Sequence, residues 1–221
     1  MKQCLITVCA VLCCIGVKAQ TYTTWPYLYP EFKDGVIYLL NGKKVYHKVN
    51  VHLLKSRLHY VEADIVKEAQ SGDIYYVAAG DDKFMVVGGE VMQVVQETEG
   101  GFVAKLVKID EESLYDSGGA YGGTTTTSAT RNLSSVEVAG GTNMNHMLLL
   151  QNKESGKEVA LKEEYYLVAN DNIYRAYRKD IEKALDPDVY GKFKSFLKQN
   201  RIRWKDPAKL KLVVDFLVKN T

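Results

Sequence analysis

The stretch "GVIYLLNGKKVYHKVNVHL", residues 35–53, decides the fold class of this chain. Asn41-Gly42 separates two β-prone runs, and this dipeptide between such runs is typical of the tight turn of a β-hairpin. The second run alternates in polarity: Val45, Val49, Val51 and Leu53 form an apolar set, and Lys44, Lys48, Asn50 and His52 form a polar set. A period of two predicts a strand with one buried face and a polar face in solvent.

Similar runs continue on the C-terminal side of this hairpin, separated by turns that contain Gly or Asp. They are "RLHYVEADIV" (57–66), "DIYYVAA" (73–79), "FMVV" (84–87), "EVMQVVQE" (90–97) and "FVAKLVKI" (102–109). Short strands at this spacing predict an antiparallel β-meander that forms a sandwich or an incomplete barrel. We therefore expect a β-rich domain over residues 20–114.

The second half of the chain changes character twice. Residues 133–176 are expected to add strands, namely "SSVEVAG", "HMLLLQ" and "VALKEEYYLVA", with "NKESGK" (152–157) as a hairpin connection. Residues 177–221 predict C-terminal helices, because Asp186-Pro187 and Asp206-Pro207 each place a capping residue before a proline at the first helical position. The predicted fold class is α+β, with a small helical region after the sheet.

Residues 115–132, "YDSGGAYGGTTTTSATRN", lie between these parts. Asp116-Ser117-Gly118-Gly119 is similar to a serine-protease nucleophile turn, but Tyr115 stands where that turn has glycine, and no histidine lies in a recognisable catalytic context. The glycine spacing of a phosphate-binding loop is also present, with Thr124 in place of the required lysine. We interpret the segment as a flexible Gly/Thr-rich linker or loop.

The first 19 residues predict a signal peptide, with Lys2 before an apolar stretch and Val17-Lys18-Ala19 before the expected cleavage. All four cysteines lie in this leader, which excludes disulfides and thiolate chemistry from the mature chain. His47 and His52 have opposite parity within one strand, so we predict neither a metal site nor a cofactor. We expect an exported protein, periplasmic or at the cell surface, that is not transmembrane after cleavage.

Charge is unevenly distributed along the chain. Residues 175–221 contain 13 basic and 6 acidic residues, whereas residues 20–174 contain 14 basic and 21 acidic residues. A basic helical end fits either docking on the acidic body of the same chain or a surface facing anionic lipid headgroups. Export argues against nucleic acid as a partner.

Tyrosines and a basic cluster are the candidate binding residues. Doubled tyrosines on strands place one ring of each pair outward, where it is able to stack on a sugar or to anchor a protein partner. Trp25, Tyr27 and Tyr29 form a further aromatic group, and tyrosine is also simply a common strand residue. The candidate binding residues are Tyr75, Tyr76, Tyr165, Tyr166, Arg201, Arg203, Trp204 and Lys205.

Three segments carry a resemblance to a known group of proteins. They are the "AQ" after the leader, the "FKDGVIYLLNGKKV…VNVHLL…LHYV" opening and the closing "FKSFLKQNRIRWKDPAKLKLVVDFL". Together they resemble exported proteins of Bacteroidetes bacteria that have no assigned activity. The resemblance implies a location in the cell envelope and implies no catalytic residue.

The sequence leads to two functional hypotheses. The first is a non-enzymatic exported envelope protein that binds a protein partner or an anionic or sugar polymer. The alternative is a hydrolase that acts on an envelope polymer through scattered carboxylates or Ser117. A cleft that gathers carboxylates with a histidine would favour the hydrolase, and an open surface over a filled interior would favour binding.

Overall fold

The computed structural model describes residues 22–110, 144–151, 153 and 158–221. The predicted leader (1–19) and the predicted linker (115–132) both lie outside the described residues. Within the described residues the strands are β1 (Tyr22–Thr23), β2 (Lys33–Leu39), β3 (Lys44–His52), β4 (Arg57–Glu62), β5 (Ile65–Glu68), β6 (Ile74–Ala79), β7 (Asp82–Val87), β8 (Glu90–Thr98), β9 (Gly101–Ile109), β10 (Met144–Asn145), β11 (Val159–Ala169) and β12 (Asn172–Arg175). The helices are α1 (His146–Gln151), α2 (Arg178–Ala184), α3 (Pro187–Asn200) and α4 (Pro207–Asn220).

These strands form one antiparallel sheet in the order β1-β11-β9-β8-β7-β6-β2-β3-β4-β5-β10, with β12 paired to β11. Two meanders, β2–β5 and β6–β9, lie side by side because β6 returns to pair with β2. The sheet curves into a half-barrel, and the C-terminal helices come after it in the chain. The predicted meander with an incomplete barrel and a small helical end is confirmed.

The hairpin between β2 and β3 has a three-residue loop, Leu40–Gly42. The Leu39 N–H donates to the Lys43 carbonyl oxygen at 2.9 Å, and the Lys43 N–H donates to Asn41 Oδ1 at 3.0 Å. Gly42 adopts a φ of 81°, a left-handed conformation that glycine accepts without steric cost. The predicted hairpin is confirmed, and this loop length pairs Tyr38 with Lys44.

The two faces of the sheet differ in what they bury. The inner face carries the main core of the β-domain, formed by Ile37, Val49, Val51, Leu58, Ile74, Val77, Ala79, Phe84 and Val91. Because strand residues alternate between faces, the neighbours of these side chains in β2, β3 and β6 point to the opposite, outer face. Tyr38, Tyr46 and Tyr76 lie on that outer face.

The C-terminal helices cover the inner face at the other end of the sheet. Helix α4 buries Leu210, Val213, Val214 and Leu217 against a cluster that includes Val103 and Leu167 of β9 and β11. Gly101 permits this close approach, since a Cβ there would lie 2.6 Å from Val214 Cγ1 and 2.2 Å from the Val168 carbonyl oxygen. None of the described helices is long and apolar enough to cross a membrane.

Both predicted Asp-Pro helix starts are present, but only one aspartate caps with its side chain. Asp206 Oδ1 accepts a hydrogen bond from the Ala208 N–H at 3.1 Å at the start of α4. Asp186 precedes Pro187 at the start of α3, and its side chain makes no capping hydrogen bond.

The prediction that the polar face of β3 lies in solvent is wrong for its second half. Asn50 and His52 are each only 1% exposed, because the N-terminal segment Trp25–Phe32 covers this end of the outer face. The Leu28 N–H donates to the Val51 carbonyl oxygen at 2.9 Å. Asn50 Nδ2 donates to the Tyr29 carbonyl oxygen at 2.9 Å, so the burial of this polar side chain is compensated.

The predicted strand "HMLLLQ" is also wrong, since these residues form helix α1, and the predicted hairpin through residues 152–157 fails with it. Asn145 starts the helix, because its Oδ1 accepts from the N–H groups of Met147 at 2.9 Å and Leu148 at 3.2 Å. The described part of "NKESGK" is Lys153 alone. Leu149 is buried against Trp25, Phe32 and Val66. An apolar run of four residues fits a helix that buries one side as well as it fits a strand.

Two buried histidines lie under the N-terminal segment. The rings of His52 and His59 stack with their centroids 5.0 Å apart, and the Tyr27 hydroxyl lies 2.8 Å from His59 Nδ1. Nε2 of each histidine has no hydrogen-bond partner among the described residues, although Glu68 Oε2 lies 3.5 Å from His59 Nε2. Burial lowers the pKa of His52 to about 3 and the pKa of His59 to about 4.

Because the pKa values of both histidines are lowered in the folded chain, we expect the fold to lose stability in mild acid. In the unfolded chain both rings take up a proton near pH 6.5, whereas in the folded chain they do so only near pH 4 and pH 3. The unfolded state therefore binds more protons within this window, and the free energy of unfolding falls as the pH is lowered through it, by at most about 1.4 kcal/mol per pH unit for each histidine. Urea unfolding at pH 7 and pH 5 measures the loss, which should shrink in the variant H52Q/H59Q. An equal loss in the variant and in the natural protein would contradict the assignment.

Candidate functional site

Four tyrosines of the neighbouring strands β2, β3 and β6 lie on the outer face, and we name this surface the tyrosine platform: Tyr38, Tyr46, Tyr75 and Tyr76. Tyr38 of β2 and Tyr76 of β6 are directly paired across the two strands. Their rings stack with centroids 4.1 Å apart and planes inclined by 14°. Such a cross-strand aromatic pair stabilises the sheet and fixes the orientation of both rings.

A bulge brings Tyr75 to the same surface. Tyr38 pairs with Tyr76, but the next residue, Leu39, pairs with Ile74, which leaves Tyr75 as an extra residue of β6. The Tyr75 ring lies 5.5 Å from the Tyr76 ring at an angle of 70°, and Tyr75 is 56% exposed. Regular alternation would instead have placed the two tyrosines on opposite faces.

Two lysines stand beside the stacked pair. Lys44 Nζ lies 5.0 Å from the centroid of the Tyr38 ring, and Lys83 Nζ lies 5.2 Å from that of Tyr76. Both distances fall within the range of a cation–π contact. Lys83 also pairs with Glu97 at 2.5 Å. The lysines restrict the rings further and add positive charge at the rim of the platform.

A groove of about 640 Å³ runs along the outer face next to these rings. Its floor contains Val36 and Ala78, a cross-strand pair with short side chains that lies two residues along each strand from Tyr38 and Tyr76. Tyr46 of β3 is paired with Val36 of β2. It lines the groove and is 71% exposed. These short side chains therefore leave a depression beside the Tyr46 ring.

The exposed tyrosines define the chemistry of this surface. Exposed tyrosines offer apolar ring faces and hydroxyl groups in one place, a combination that binds partners with both apolar and polar edges. Among the described residues, no group of three or more His, Cys, Asp or Glu side chains is placed so that it could hold a metal ion.

Tyr165 and Tyr166 do not join the platform. Tyr165 lies on the inner face against the helical core, and burial raises its pKa. Tyr166 lies on the outer face, where its hydroxyl donates to Glu164 Oε2 at 3.3 Å beside a separate pocket of about 330 Å³. Three strands separate Tyr166 from β6, a distance of roughly 19 Å at the usual strand spacing.

The predicted basic cluster is divided by the structure. Arg201 and Trp204 line a cleft of about 470 Å³ on the helical layer, whereas Arg203 and Lys205 are exposed outside it. Two rings of the N-terminal aromatic group belong to the core, because Trp25 and Tyr27 are only 5% and 2% exposed. Tyr29 donates its hydroxyl hydrogen to Asp82 Oδ2.

Sequence reasoning found Tyr75 and Tyr76 but missed their partners Tyr38, Tyr46 and the two lysines. A signal was present in the alternation of the hairpin, since Lys44 and Tyr46 share the polar parity of β3. Whether Tyr38 of β2 pairs with a residue of this polar set depends on the length of the hairpin loop. The dipeptide Asn41-Gly42 alone does not determine that length.

The chain was compared with models of protein families, with curated proteins and with solved structures, and none of the three comparisons gives a match. A functional proposal therefore has to rest on the chemistry of the surfaces described above.

The stacked pair makes a prediction about tyrosine titration. A hydrogen bond with the Tyr38 side chain is the largest cause that raises the pKa of Tyr76. Replacing Tyr38 with phenylalanine keeps the stacked ring but removes the hydroxyl, so the pKa of Tyr76 should fall towards the usual value near 10. NMR titration of ring-labelled tyrosine measures the change. Tyr46→Phe serves as the matched control, and a fall of the Tyr76 pKa in that variant alone would contradict the assignment.

Proposed function

We propose that this chain is a non-enzymatic protein of the cell envelope that binds a sugar polymer across the tyrosine platform and its groove. The observation that carries the proposal is the stacked Tyr38–Tyr76 pair, held rigid on a sheet and continued by exposed Tyr46 and Tyr75. A rigid aromatic surface loses little conformational freedom on binding, which favours affinity for a ligand made of repeated units.

The chemistry of the groove favours a sugar over an apolar ligand. Sugar rings present C–H faces that pack on aromatic rings and hydroxyl groups that need polar partners. The groove offers both, because Tyr46 lies beside the pair Asp34 and Lys48 at its edge. An apolar ligand would leave these charged groups without water or a partner, which costs free energy.

Placement in the envelope rests on the sequence. The expected leader and the resemblance to exported Bacteroidetes proteins support export, where polysaccharides are abundant binding partners. A protein partner remains the competing occupant of the platform, because tyrosines are also frequent at the centre of protein interfaces. The hydrolase alternative would require Asp34 or another carboxylate at the groove to act on the bound polymer.

The proposal predicts that truncating the stacked pair abolishes polymer binding. Aromatic residues that act as hot spots at the centre of an interface contribute about 2 kcal/mol or more, so Y38A/Y76A should weaken binding by about 30-fold or more. Native affinity gels that contain a β-glucan, a xylan or a mannan, and co-sedimentation with peptidoglycan sacculi, measure the loss.

The matched control is Y22A/Y177A, which removes two tyrosines that are 54% and 49% exposed outside the platform. This control should bind as the natural protein does. Retention of every polymer by Y38A/Y76A, with its thermal unfolding unchanged, would contradict the proposal. Release of shorter fragments from the polymer, lost in D34N, would instead favour the hydrolase alternative.

A further inference from the structure

A second surface lies on the helical layer, on the other side of the sheet from the platform. This surface, which we name the basic cleft, is the depression of about 470 Å³ between the start of α2 and the connection from α3 to α4. Four basic side chains line it, Arg178, Lys194, Lys198 and Arg201, and Trp204 is the aromatic residue in its wall.

Most of the positive charge of the basic cleft is not paired with a carboxylate. Arg178 is paired with Glu182 at 2.7 Å, but Lys194, Lys198 and Arg201 make no ion pair within the described residues. The pocket around Tyr166 is different, since Lys108 there pairs with Glu90 at 2.6 Å. An uncompensated group of cations in a depression attracts an anion more strongly than the same cations on a flat surface.

Helix α3 places two of these cations on one side by their spacing. Lys194 and Lys198 are four residues apart, which puts them on one helical face, and Arg201 follows the helix as its C-cap residue and lines the same depression. Phe193, one position earlier, is fully buried and fixes that rotation of the helix. Lysines four residues apart repel each other, so this arrangement opposes helix stability unless an anion is bound.

Arg201 adds an independent sign. It ends α3 with a φ of 48°, the left-handed conformation that glycine or asparagine usually occupies at this position. An arginine at such a position is strained relative to glycine, and strained residues are retained most readily where their side chain serves a purpose. The side chain of Arg201 lines the basic cleft.

We propose that the basic cleft binds a phosphate group carried on a ring or on an apolar group. The two lysines and Arg201 supply positive charge for a doubly charged oxyanion, and the planar guanidinium of arginine matches two phosphate oxygens at once. Half-buried Trp204 and Leu197 provide the surface on which the attached ring or chain packs. This site is independent of the tyrosine platform, and its failure would leave polymer binding untouched.

A sugar phosphate and a lipid headgroup both present this chemistry, and the experiment separates them. The probes are inorganic phosphate, glucose 6-phosphate, glucose, and vesicles of phosphatidylglycerol or of phosphatidylcholine. Trp204 reports binding through its fluorescence, and W204F identifies the part of the signal that belongs to it. We expect saturable binding of glucose 6-phosphate, none of glucose, and an affinity that falls as salt is added.

Two variants test the residues. K198Q/R201Q should weaken phosphate binding at least about tenfold, since hydrogen bonds to charged groups contribute this much or more. K192Q/K219Q removes the same charge from exposed positions outside the cleft and should bind normally. R201G should bind as weakly as K198Q/R201Q while its thermal unfolding temperature stays unchanged or rises, because glycine relieves the left-handed backbone.

Each outcome decides the matter. Binding of phosphatidylglycerol vesicles but not of glucose 6-phosphate, lost in K198Q/R201Q, assigns the phosphate to a lipid headgroup and supports the site. Equal weakening in K192Q/K219Q shows attraction by overall charge alone and overturns it. Absence of binding to every phosphate probe, or full binding by R201G, overturns it as well.

Discussion

The alternation of side chains along β2, β3 and β6 is the constraint on which the rest of the structure depends. Burial of Ile37, Val49 and Val77 fixes one face of these strands towards the interior. Their neighbours have no choice of face, so Tyr38 and Tyr76 are held outward as a pair. Rotating any one strand would expose the core and bury tyrosine hydroxyl groups without partners, and both changes are costly. The core therefore positions the tyrosine platform, and the platform needs no loop to hold it.

The N-terminal segment Trp25–Phe32 sets the limit of this exposed surface. It pairs with the last residues of β3, which extend beyond the first residue of β2. It also buries Asn50, His52 and His59. Without that cover, these polar side chains would lie at the open outer face. With it, the groove ends where the covered region begins, at Val61, which both lines the groove and packs against the buried cluster. One face of one sheet is thus divided into a closed part that contributes stability and an open part that is available for binding.

Local patterns in the sequence were sufficient for most elements. Asn41-Gly42, the period of two and the two Asp-Pro starts correctly predicted the hairpin, the meander and the helices. Three features depended on information that local patterns lack. The register of the hairpin follows from a loop of three residues instead of two, and this single residue decides whether Tyr38 faces Lys44 or Val45. The bulge at Tyr75 and the burial of His52 each require knowledge of a strand or segment that is distant along the chain. The platform was for that reason only half visible in the sequence, as the doubled tyrosine of β6.

Tyrosine nitration read out by mass spectrometry, with and without the polysaccharide that retains the protein in an affinity gel, tests the claim of a shared binding surface most directly. The account predicts that Tyr38, Tyr46, Tyr75 and Tyr76 react in the free protein and become protected together when the polymer is bound, while Tyr22 and Tyr177 keep their reactivity. Protection confined to Tyr166, or equal reaction of all four platform residues in the presence and absence of the polymer, would contradict it.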